Sequence, residues 1–123
     1  MRVLVIEDHP LDMKLLCVLV SSGGHEVLQA SCATEALEVI ERCAPDVILA
    51  DLHLPDLDGL ELVRRLRDLP HAQHTPVVAV TAYDSRYATH SVLAAGCALY
   101  LSKPIDTRRL EPQLRLVAAQ VSQ

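Results

Sequence analysis

The feature that most constrains the fold is a repeated alternation of short apolar runs with helical patterns. The runs are RVLVI (2–6), EVLQA (26–30), DVILA (46–50), PVVAV (76–80) and ALYL (98–101). Several are almost continuously apolar, as expected for parallel strands covered by helices on both faces. Apolar residues recur at helical spacing between and after them, at Ala33, Ala36, Leu37 and Ile40 and at Leu110, Leu114, Val117, Ala118 and Val121. The alternation predicts an α/β domain with a five-stranded parallel sheet and five helices.

Length and uniformity predict one domain over residues 1–123. The chain has 123 residues, half of them apolar, which is enough to bury one core, and its composition does not shift along the chain. For five strands in a chain of this size, the leading arrangement is a doubly wound sheet with the flavodoxin-like order 2-1-3-4-5. The expected helix ends are Gly23, Gly24 and Gly96, and the expected N-caps are Asp58, Asp84 and Asp106.

Charge and hydropathy argue against two classes of protein. The net charge of -5 is unlike that of a nucleic-acid-binding domain, so we expect no direct contact with nucleic acid. The basic clusters at 64–67 and 108–109 lie on predicted helices that also carry acids, which favours solvated faces. No run approaches the roughly 18 apolar residues that span a membrane, and the start MRVLVIEDHP turns acidic too early for a signal peptide. We therefore expect a cytoplasmic location and no membrane contact.

The cysteine and histidine residues could form a second kind of site. The cysteines show no CxxC spacing and mostly lie within predicted helices, which favours reduced packing residues over a disulfide framework; they are Cys17, Cys32, Cys43 and Cys97. His71 and His74 could form half of a metal site, but they lie in a polar stretch without supporting cysteine or acidic ligands. An ordinary loop is the favoured interpretation.

The stretch ILADLHLPDLDG (48–59) places an acid, Asp51, at the end of a strongly apolar run. Ionised carboxylates rarely lie beside a core without a partner. Polar residues also follow the other strands: Glu7 and Asp8 after the first, Thr81 after the fourth and Lys103 after the fifth. In the order 2-1-3-4-5 the first and third strands are neighbours, so the three carboxylates should converge on one crevice.

The chemistry of these residue types points to phosphoryl transfer. Three close carboxylates repel unless a cation or proton intervenes, and hard oxygen ligands at an open site suit Mg²⁺. A threonine hydroxyl and a lysine ammonium are partners for phosphoryl oxygens. Taken alone, each residue has an ordinary explanation, such as a helix cap, a strand-end hydroxyl or a surface lysine. Their joint placement favours a site with Asp51 as nucleophile.

The chain resembles the receiver domain of bacterial two-component response regulators over essentially its whole length. The resemblance runs from VLVIEDHPLDMKLL through VILADLHLPDLDGLELVRRLR and PVVAVTAYD to GCALYLSKPID. Its motifs are an acidic pair after strand one, Asp-x-x-x-Pro after strand three, Thr-Ala after strand four and Lys-Pro after strand five. The predicted strand order is itself typical of this family, so it is not independent support.

The resemblance implies a role for each matching residue. Asp51 would accept a phosphoryl group from a histidine kinase or a histidine phosphotransfer protein and hold it as an acyl phosphate. The Mg²⁺ ligands would be Glu7, Asp8, Asp51 and the backbone carbonyl of His53, and the phosphoryl ligands would be Thr81 and Lys103. The peptide bond between Lys103 and Pro104 is expected to be cis. Such a domain is a signalling switch that assists its own phosphorylation and dephosphorylation rather than an enzyme.

The resemblance also implies how the signal leaves the domain. A phosphoryl group on Asp51 would draw Thr81 inward, and Tyr100, the family's switch aromatic, would enter the vacated space. The face formed by the fourth helix, fifth strand and fifth helix would then bind a downstream protein. Candidate contacts on it are Tyr87, His90, Leu99 and Tyr100. The alternative for Tyr100 is an amphipathic strand residue with its hydroxyl in water.

The resemblance implies that two bulky residues flank the entry path of water to the acyl phosphate. His53 and Tyr83 lie two positions after Asp51 and Thr81. We expect them to shield the acyl phosphate and slow its hydrolysis. The alternatives are that they only fill the rim of the crevice, or that His53 assists the water.

Other functions stay open on the residues alone. An aspartyl-phosphate phosphatase of related fold typically carries a second acid two residues after its nucleophile, where this chain has His53, and this chain lacks an obvious cap insertion. A degenerate receiver that only binds partners is disfavoured by the complete set of site residues. The chain could be a stand-alone receiver or a fragment of a longer regulator. Kinase recognition is expected at residues 11–19 and after Lys103.

Overall fold

The computed structural model describes residues 1–82 and 88–121, which form one parallel sheet with helices on both faces. The strands are β1 (Arg2–Ile6), β2 (Glu26–Ala30), β3 (Val47–Ala50), β4 (Val77–Thr81) and β5 (Leu99–Ser102). The helices are α1 (Pro10–Ser22), α2 (Ala33–Cys43), α3 (Gly59–Arg67), α4 (Thr89–Ala94) and α5 (Leu110–Val121). The predicted alternation of strands and helices is therefore confirmed.

The strand order is β2-β1-β3-β4-β5 and every neighbouring pair is parallel, as the sequence predicted. In the register, Leu4 of β1 lies between Leu28 of β2 and Ile48 of β3. The bounds of β1 and β2 match the prediction, whereas β3, β4 and β5 begin one residue later. At Pro76 the reason is that proline has no N–H to donate, although its carbonyl accepts from Ile48 at 2.9 Å.

Two apolar clusters cover the two faces of the sheet, because successive side chains of a strand point to opposite sides. Leu4 and Ile6 pack with α2, α3 and α4, whereas Val3 and Val5 pack with α1 and α5. All four residues of β3 are buried, as expected for a central strand covered on both faces. Burying one such leucine or isoleucine contributes about 1.5–3 kcal/mol. The core therefore holds the carboxyl ends of the central strands in place.

The helix ends largely follow the predicted signals. Asp58 caps α3 by accepting a hydrogen bond from the Leu60 N–H at 2.8 Å. Gly23 ends α1, and Gly96, with a φ of 115°, lies just beyond α4. The prediction for Asp106 was wrong in detail: it accepts from the Arg108 N–H at 3.0 Å and so caps a short turn ahead of α5. The predicted cap Asp84 lies outside the described residues.

The cysteine and histidine side chains lie as the sequence favoured, in packing and loop positions. The four cysteines are free thiols; burial raises the pKa of the Cys97 thiol to about 11. His71 and His74 are exposed in a turn and belong to no cluster of three or more potential metal ligands within the described ranges. Of the helices in residues 1–82 and 88–121, none combines the length and apolar character that crossing a bilayer requires.

One helix cap comes from a distant loop. The N-terminal position of α2 is Cys32, whose side chain makes no capping hydrogen bond. Instead Asp56, in the loop between β3 and α3, accepts from the N–H groups of Ala33 and Thr34 at 2.9 and 3.0 Å. It also accepts from the Thr34 hydroxyl at 2.8 Å. The backbone hydrogen bonds lower the pKa of Asp56 to about 2 and tie the loop after Asp51 to α2.

We predict that Asp56→Ala lowers the free energy of unfolding by about 1 kcal/mol near neutral pH, the usual effect of losing an N-cap. The folded pKa lies below the ordinary 3.8, so the stabilisation is complete above that pH and is lost as the pH falls towards about 2. Urea unfolding at several pH values measures both effects. Asp68→Ala, at an exposed aspartate after α3, is the control and should change little. A difference between wild type and Asp56→Ala that persisted below about pH 2 would contradict the prediction.

Candidate functional site

The acids of the crevice are held by hydrogen bonds that continue the sheet beyond its strands. Glu7 and Asp8 directly follow β1, and Asp51 directly follows β3. The Glu7 N–H donates to the Ala30 carbonyl at 3.0 Å, and the Asp51 N–H donates to the Ile6 carbonyl at 2.9 Å. The backbones of Glu7 and Asp51 are therefore hydrogen-bonded to neighbouring strands in the same way as the strand residues before them.

The three predicted carboxylates lie together. One oxygen from each of Glu7, Asp8 and Asp51 can be chosen so that all lie within 4.8 Å of one another. As whole residues, Glu7 and Asp51 are only 1% and 5% exposed, whereas Asp8 is exposed. The cluster is thus buried at its base and open to solvent at Asp8. This donor set, hard oxygens reachable from water, fits Mg²⁺.

The Asp51 carboxylate has hydrogen-bond donors on both oxygens. Its Oδ1 accepts from the His53 N–H at 2.8 Å and from the Thr81 hydroxyl at 2.9 Å, and its Oδ2 accepts from Lys103 Nζ at 2.8 Å. Burial alone would raise the pKa of Asp51, but the bonds from Lys103 and the His53 N–H outweigh it and lower the pKa. Asp51 is therefore ionised at neutral pH, as a nucleophile must be.

Glu7 responds differently to the same crevice. Burial is the largest influence and raises the pKa of Glu7, although Lys103 and the His9 N–H, at 2.9 and 3.1 Å, oppose it. The nearby charge of Asp51 acts in the same direction as burial. A divalent cation at the cluster would favour the ionised form of both acids.

Lys103 joins the acids with its ammonium group. Nζ donates to Glu7 and Asp51, at 2.9 and 2.8 Å, and also to Asp12 of α1 at 2.9 Å. Burial alone would lower the pKa of Lys103, but the three carboxylates outweigh it and raise the pKa. The following peptide bond, to Pro104, is cis as predicted. Sequence reasoning missed Asp12; its signal is an acid in the first helical turn after the acidic pair.

The side chain of His53 makes a contact that the sequence did not suggest. Thr81 is completely buried, and its one hydroxyl proton is donated to Asp51. His53 Nδ1 lies 2.7 Å from the same hydroxyl oxygen, so Nδ1 must be the donor of that bond. The chain of donors runs from His53 through Thr81 to Asp51. Tyr83, the other residue expected to shield the site, lies outside the described residues.

The expected output face is only partly described. Tyr100 pairs with Ala79 in the register of β4 and β5, is half-buried, and packs against the cluster on the α2–α3–α4 face. Leu99 is half-buried and His90 is exposed on α4. Tyr87 lies outside the described residues. The structure therefore places Tyr100 at the boundary between the core and the surface.

A doubly wound sheet with acids after β1 and β3, a threonine at the end of β4 and a lysine after β5 is the arrangement of a response regulator receiver. The family model described as response regulator receiver domain matches residues 3–115. The chain belongs to this family, as the resemblance indicated. Phosphoryl acceptance on an aspartate is the activity that the family implies.

Particular relatives match along nearly the whole chain. The polar-differentiation response regulator DivK of Brucella ovis is 37% identical over 107 residues, 87% of each chain. The receiver domain of the sensor histidine kinase PA1611 from Pseudomonas aeruginosa, solved with a magnesium ion in its active site cleft, is 29% identical with a TM-score of 0.87. That match covers 96% of this chain and 97% of the other. A CheY-like receiver from Methanospirillum hungatei is 27% identical, with a TM-score of 0.89 over 98% and 95% of the two chains.

A close backbone contact supports the loop that follows Asp51. Gly59 begins α3, and its N–H donates to the Leu52 carbonyl at 2.9 Å. A Cβ on Gly59 would lie 2.5 Å from the Leu52 Cα and 2.8 Å from its carbonyl oxygen. These are backbone atoms beside Asp51, so they cannot move aside as a flexible side chain would.

We predict that Gly59→Ala lowers the free energy of unfolding by about 1–3 kcal/mol, the usual effect of overpacking. It should also shift the backbone amide NMR signals of Asp51 and Leu52, because Leu52 must move. Gly24→Ala is the control: it has a φ of 85° and loses some stability, but nothing lies within 4 Å of its added Cβ. Unchanged Asp51 and Leu52 signals in Gly59→Ala would contradict the prediction.

Proposed function

We propose that this chain is a signalling switch in which Asp51 accepts a phosphoryl group, with Mg²⁺, from a histidine kinase or a histidine phosphotransfer protein. The observation that carries the proposal is the environment of the Asp51 carboxylate. It is ionised, beside two further acids, and within 2.9 Å of the Thr81 hydroxyl and the Lys103 ammonium. The nucleophile, the candidate cation ligands and the hydrogen-bond donors for phosphoryl oxygens thus meet at one place.

The residues of the crevice divide the work of the transfer. The Asp51 carboxylate forms the new O–P bond while the P–N bond of the donor phosphohistidine breaks. Thr81 and Lys103 already bond to the carboxylate and need move only a short way to reach phosphoryl oxygens. Glu7, Asp8, Asp51 and the His53 carbonyl would hold the Mg²⁺. When bound, this ion neutralises charge on the carboxylates and the phosphoryl group.

The output of the switch would pass through Thr81 and Tyr100. Thr81 already donates to Asp51, so phosphorylation would transfer this hydrogen bond from carboxylate to phosphoryl oxygen rather than create it. Tyr100 lies on the neighbouring strand, half-buried and able to follow. The change would favour one arrangement of α4, β5 and α5 for a downstream protein.

The proposal also states what kind of protein this is and where in the cell it acts. The phosphoryl group would stay attached to the protein's own aspartate, so the domain is a signalling module that assists its own phosphorylation and dephosphorylation, rather than an enzyme with a released product. The net charge of -5 supports protein partners over direct contact with nucleic acid. We propose that it acts in the cytoplasm, where histidine kinases present their phosphohistidine, without contact to the membrane.

The first test is the intact mass of the protein after incubation with Mg²⁺ and acetyl phosphate as a small donor. We expect one added phosphoryl group, because Asp51 is ionised and lies beside the Thr81 hydroxyl and the Lys103 ammonium, which can bind phosphoryl oxygens. Asp51→Asn and addition of a chelator should each abolish it. An adduct retained in Asp51→Asn would contradict the assignment of the acceptor. Release of phosphate without any adduct would instead favour the phosphatase alternative.

The second test concerns the lifetime of the acyl phosphate. The side chain of His53 lies beside the acceptor, with Nδ1 3.7 Å from Asp51 Oδ1 and 2.7 Å from the Thr81 hydroxyl oxygen, so we expect His53→Asn combined with Tyr83→Ala to shorten the lifetime. Loss of one hydrogen bond worth about 1 kcal/mol corresponds to roughly fivefold in rate. Decay of the adduct by intact mass measures it, with the exposed His71→Asn as control. A longer lifetime would favour assistance of the water by His53, and an unchanged one would favour a rim-filling role.

A further inference from the structure

The ammonium group of Lys103 is shared by three carboxylates, and one of them lies outside the acidic cluster. An ammonium has three N–H donors, and the three acceptors are Glu7, Asp12 and Asp51 at 2.9, 2.9 and 2.8 Å. Glu7 and Asp51 belong to the cluster that fits a divalent cation, whereas Asp12 does not. Asp12 lies in the first turn of α1, and its partner Lys103 is 91 residues away in sequence.

The three acids differ in what the proposed reaction demands of them. With Mg²⁺ and a phosphoryl group in the crevice, Glu7 and Asp51 would serve as ligands of the cation, and Asp51 would also carry the new O–P bond. Asp12 would neither bind the cation nor form a bond to phosphorus. Its side chain is 39% exposed, against 0% for Glu7 and 6% for Asp51, so it can follow the ammonium at little cost in desolvation.

We propose that Asp12 is a positioning residue that holds the ammonium of Lys103 at the mouth of the crevice during phosphoryl acceptance. The inference rests on the proposed function of Asp51 and concerns Asp12, a partner of Lys103 that would bind neither the cation nor the phosphoryl group in the proposed reaction. During the transfer, the Lys103 ammonium would exchange its hydrogen bond to Asp51 for one to a phosphoryl oxygen. Asp12 would accept a hydrogen bond from the ammonium throughout this exchange.

The surroundings of the pair support this role. Asp12, Leu15 and Leu16 of α1 line a cavity of about 130 Å³ together with Lys103, Pro104 and Ile105. Ile105 also packs against the apolar cluster that contains Leu16, so the Asp12–Lys103 bond is the polar end of a mainly apolar contact between α1 and the segment after β5. Another neighbour of Asp12 is His9, whose Nδ1 lies 3.8 Å from the carboxylate. A competing explanation is that Asp12 merely stabilises α1 as an acid in its first turn.

A spectroscopic experiment tests the contact without any phosphorylation. The chain has two lysines, Lys14 and Lys103, so lysine-selective ¹⁵N labelling gives two Nζ signals. Lys14 is exposed on α1 and is the internal reference. We expect slowly exchanging ammonium protons for Lys103 in wild type and in Asp12→Asn, whose amide oxygen still accepts, and faster exchange in Asp12→Ala. A Lys103 signal identical in wild type and Asp12→Ala would overturn the inference.

A kinetic experiment separates positioning from support of the helix. With acetyl phosphate and saturating Mg²⁺, we expect Asp12→Ala to slow adduct formation by roughly three- to tenfold, the range for a charged hydrogen bond that is partly exposed. Asp12→Asn should restore the rate to within about twofold, since it keeps the acceptor. In a Lys103→Ala background, Asp12→Ala should have no further effect. The matched control is Glu61→Ala, a first-turn acid of α3 that pairs with arginines of its own helix.

The outcomes distinguish this inference from the function on which it rests. An Asp12→Ala rate equal to that of a wild type that does form the adduct would overturn the positioning role alone. An equal loss in the wild-type and Lys103→Ala backgrounds would show that Asp12 acts through the helix and would also overturn it. A wild type that forms no adduct would overturn the proposed function of Asp51 itself.

Discussion

The pairing of one ammonium with buried carboxylates is the interaction on which the rest of the site depends. Ionised acids as buried as Glu7 and Asp51 cost several kcal/mol unless they are paired. Lys103 starts from the end of β5, two strands away from Asp51 and three from Glu7 in the order of the sheet. Its four-carbon stem must therefore pass the end of β4 to reach them. The residue at that end, Thr81, is short enough to leave room and still bonds to Asp51.

The donors around Asp51 are in place before any phosphoryl group arrives. A backbone N–H, a hydroxyl and an ammonium lie within 2.9 Å of its oxygens. Groups arranged in advance need no reorganisation when charge appears on the transferring group. The hydrogen bond from His53 to Thr81 adds a second layer, since it orients the hydroxyl that Asp51 receives. The chemistry proposed for Asp51 thus uses contacts that already stabilise the folded crevice.

The sequence predicted the strands and the residues at their ends because both are local patterns, and the strand order followed from the usual arrangement of a doubly wound sheet of this size. Apolar runs define the strands, and in a doubly wound sheet the residues directly after them must share one edge. Asp12, Asp56 and the side chain of His53 act through partners 91, 22–23 and 28 residues away, and no local pattern specifies which side chain such a residue will meet. The cap at Asp106 failed for a smaller reason: a turn intervenes before the helix. Local signals locate a site, whereas long-range hydrogen bonds determine how it is supported.

The position of each strand in the sheet has a mechanical consequence. β1 and β3 are bonded on both sides, and every residue of β3 is buried, so the strands that carry the acids resist displacement. β5 lies at the edge, bonded to β4 alone, with three half-buried residues and one exposed. Shifting it breaks one ladder instead of two. The sheet is therefore stiffest at its central strands and most easily displaced at the edge strand β5. Lys103 connects the two, so a change in the acids that bind its ammonium is transmitted to the strand whose backbone moves most easily.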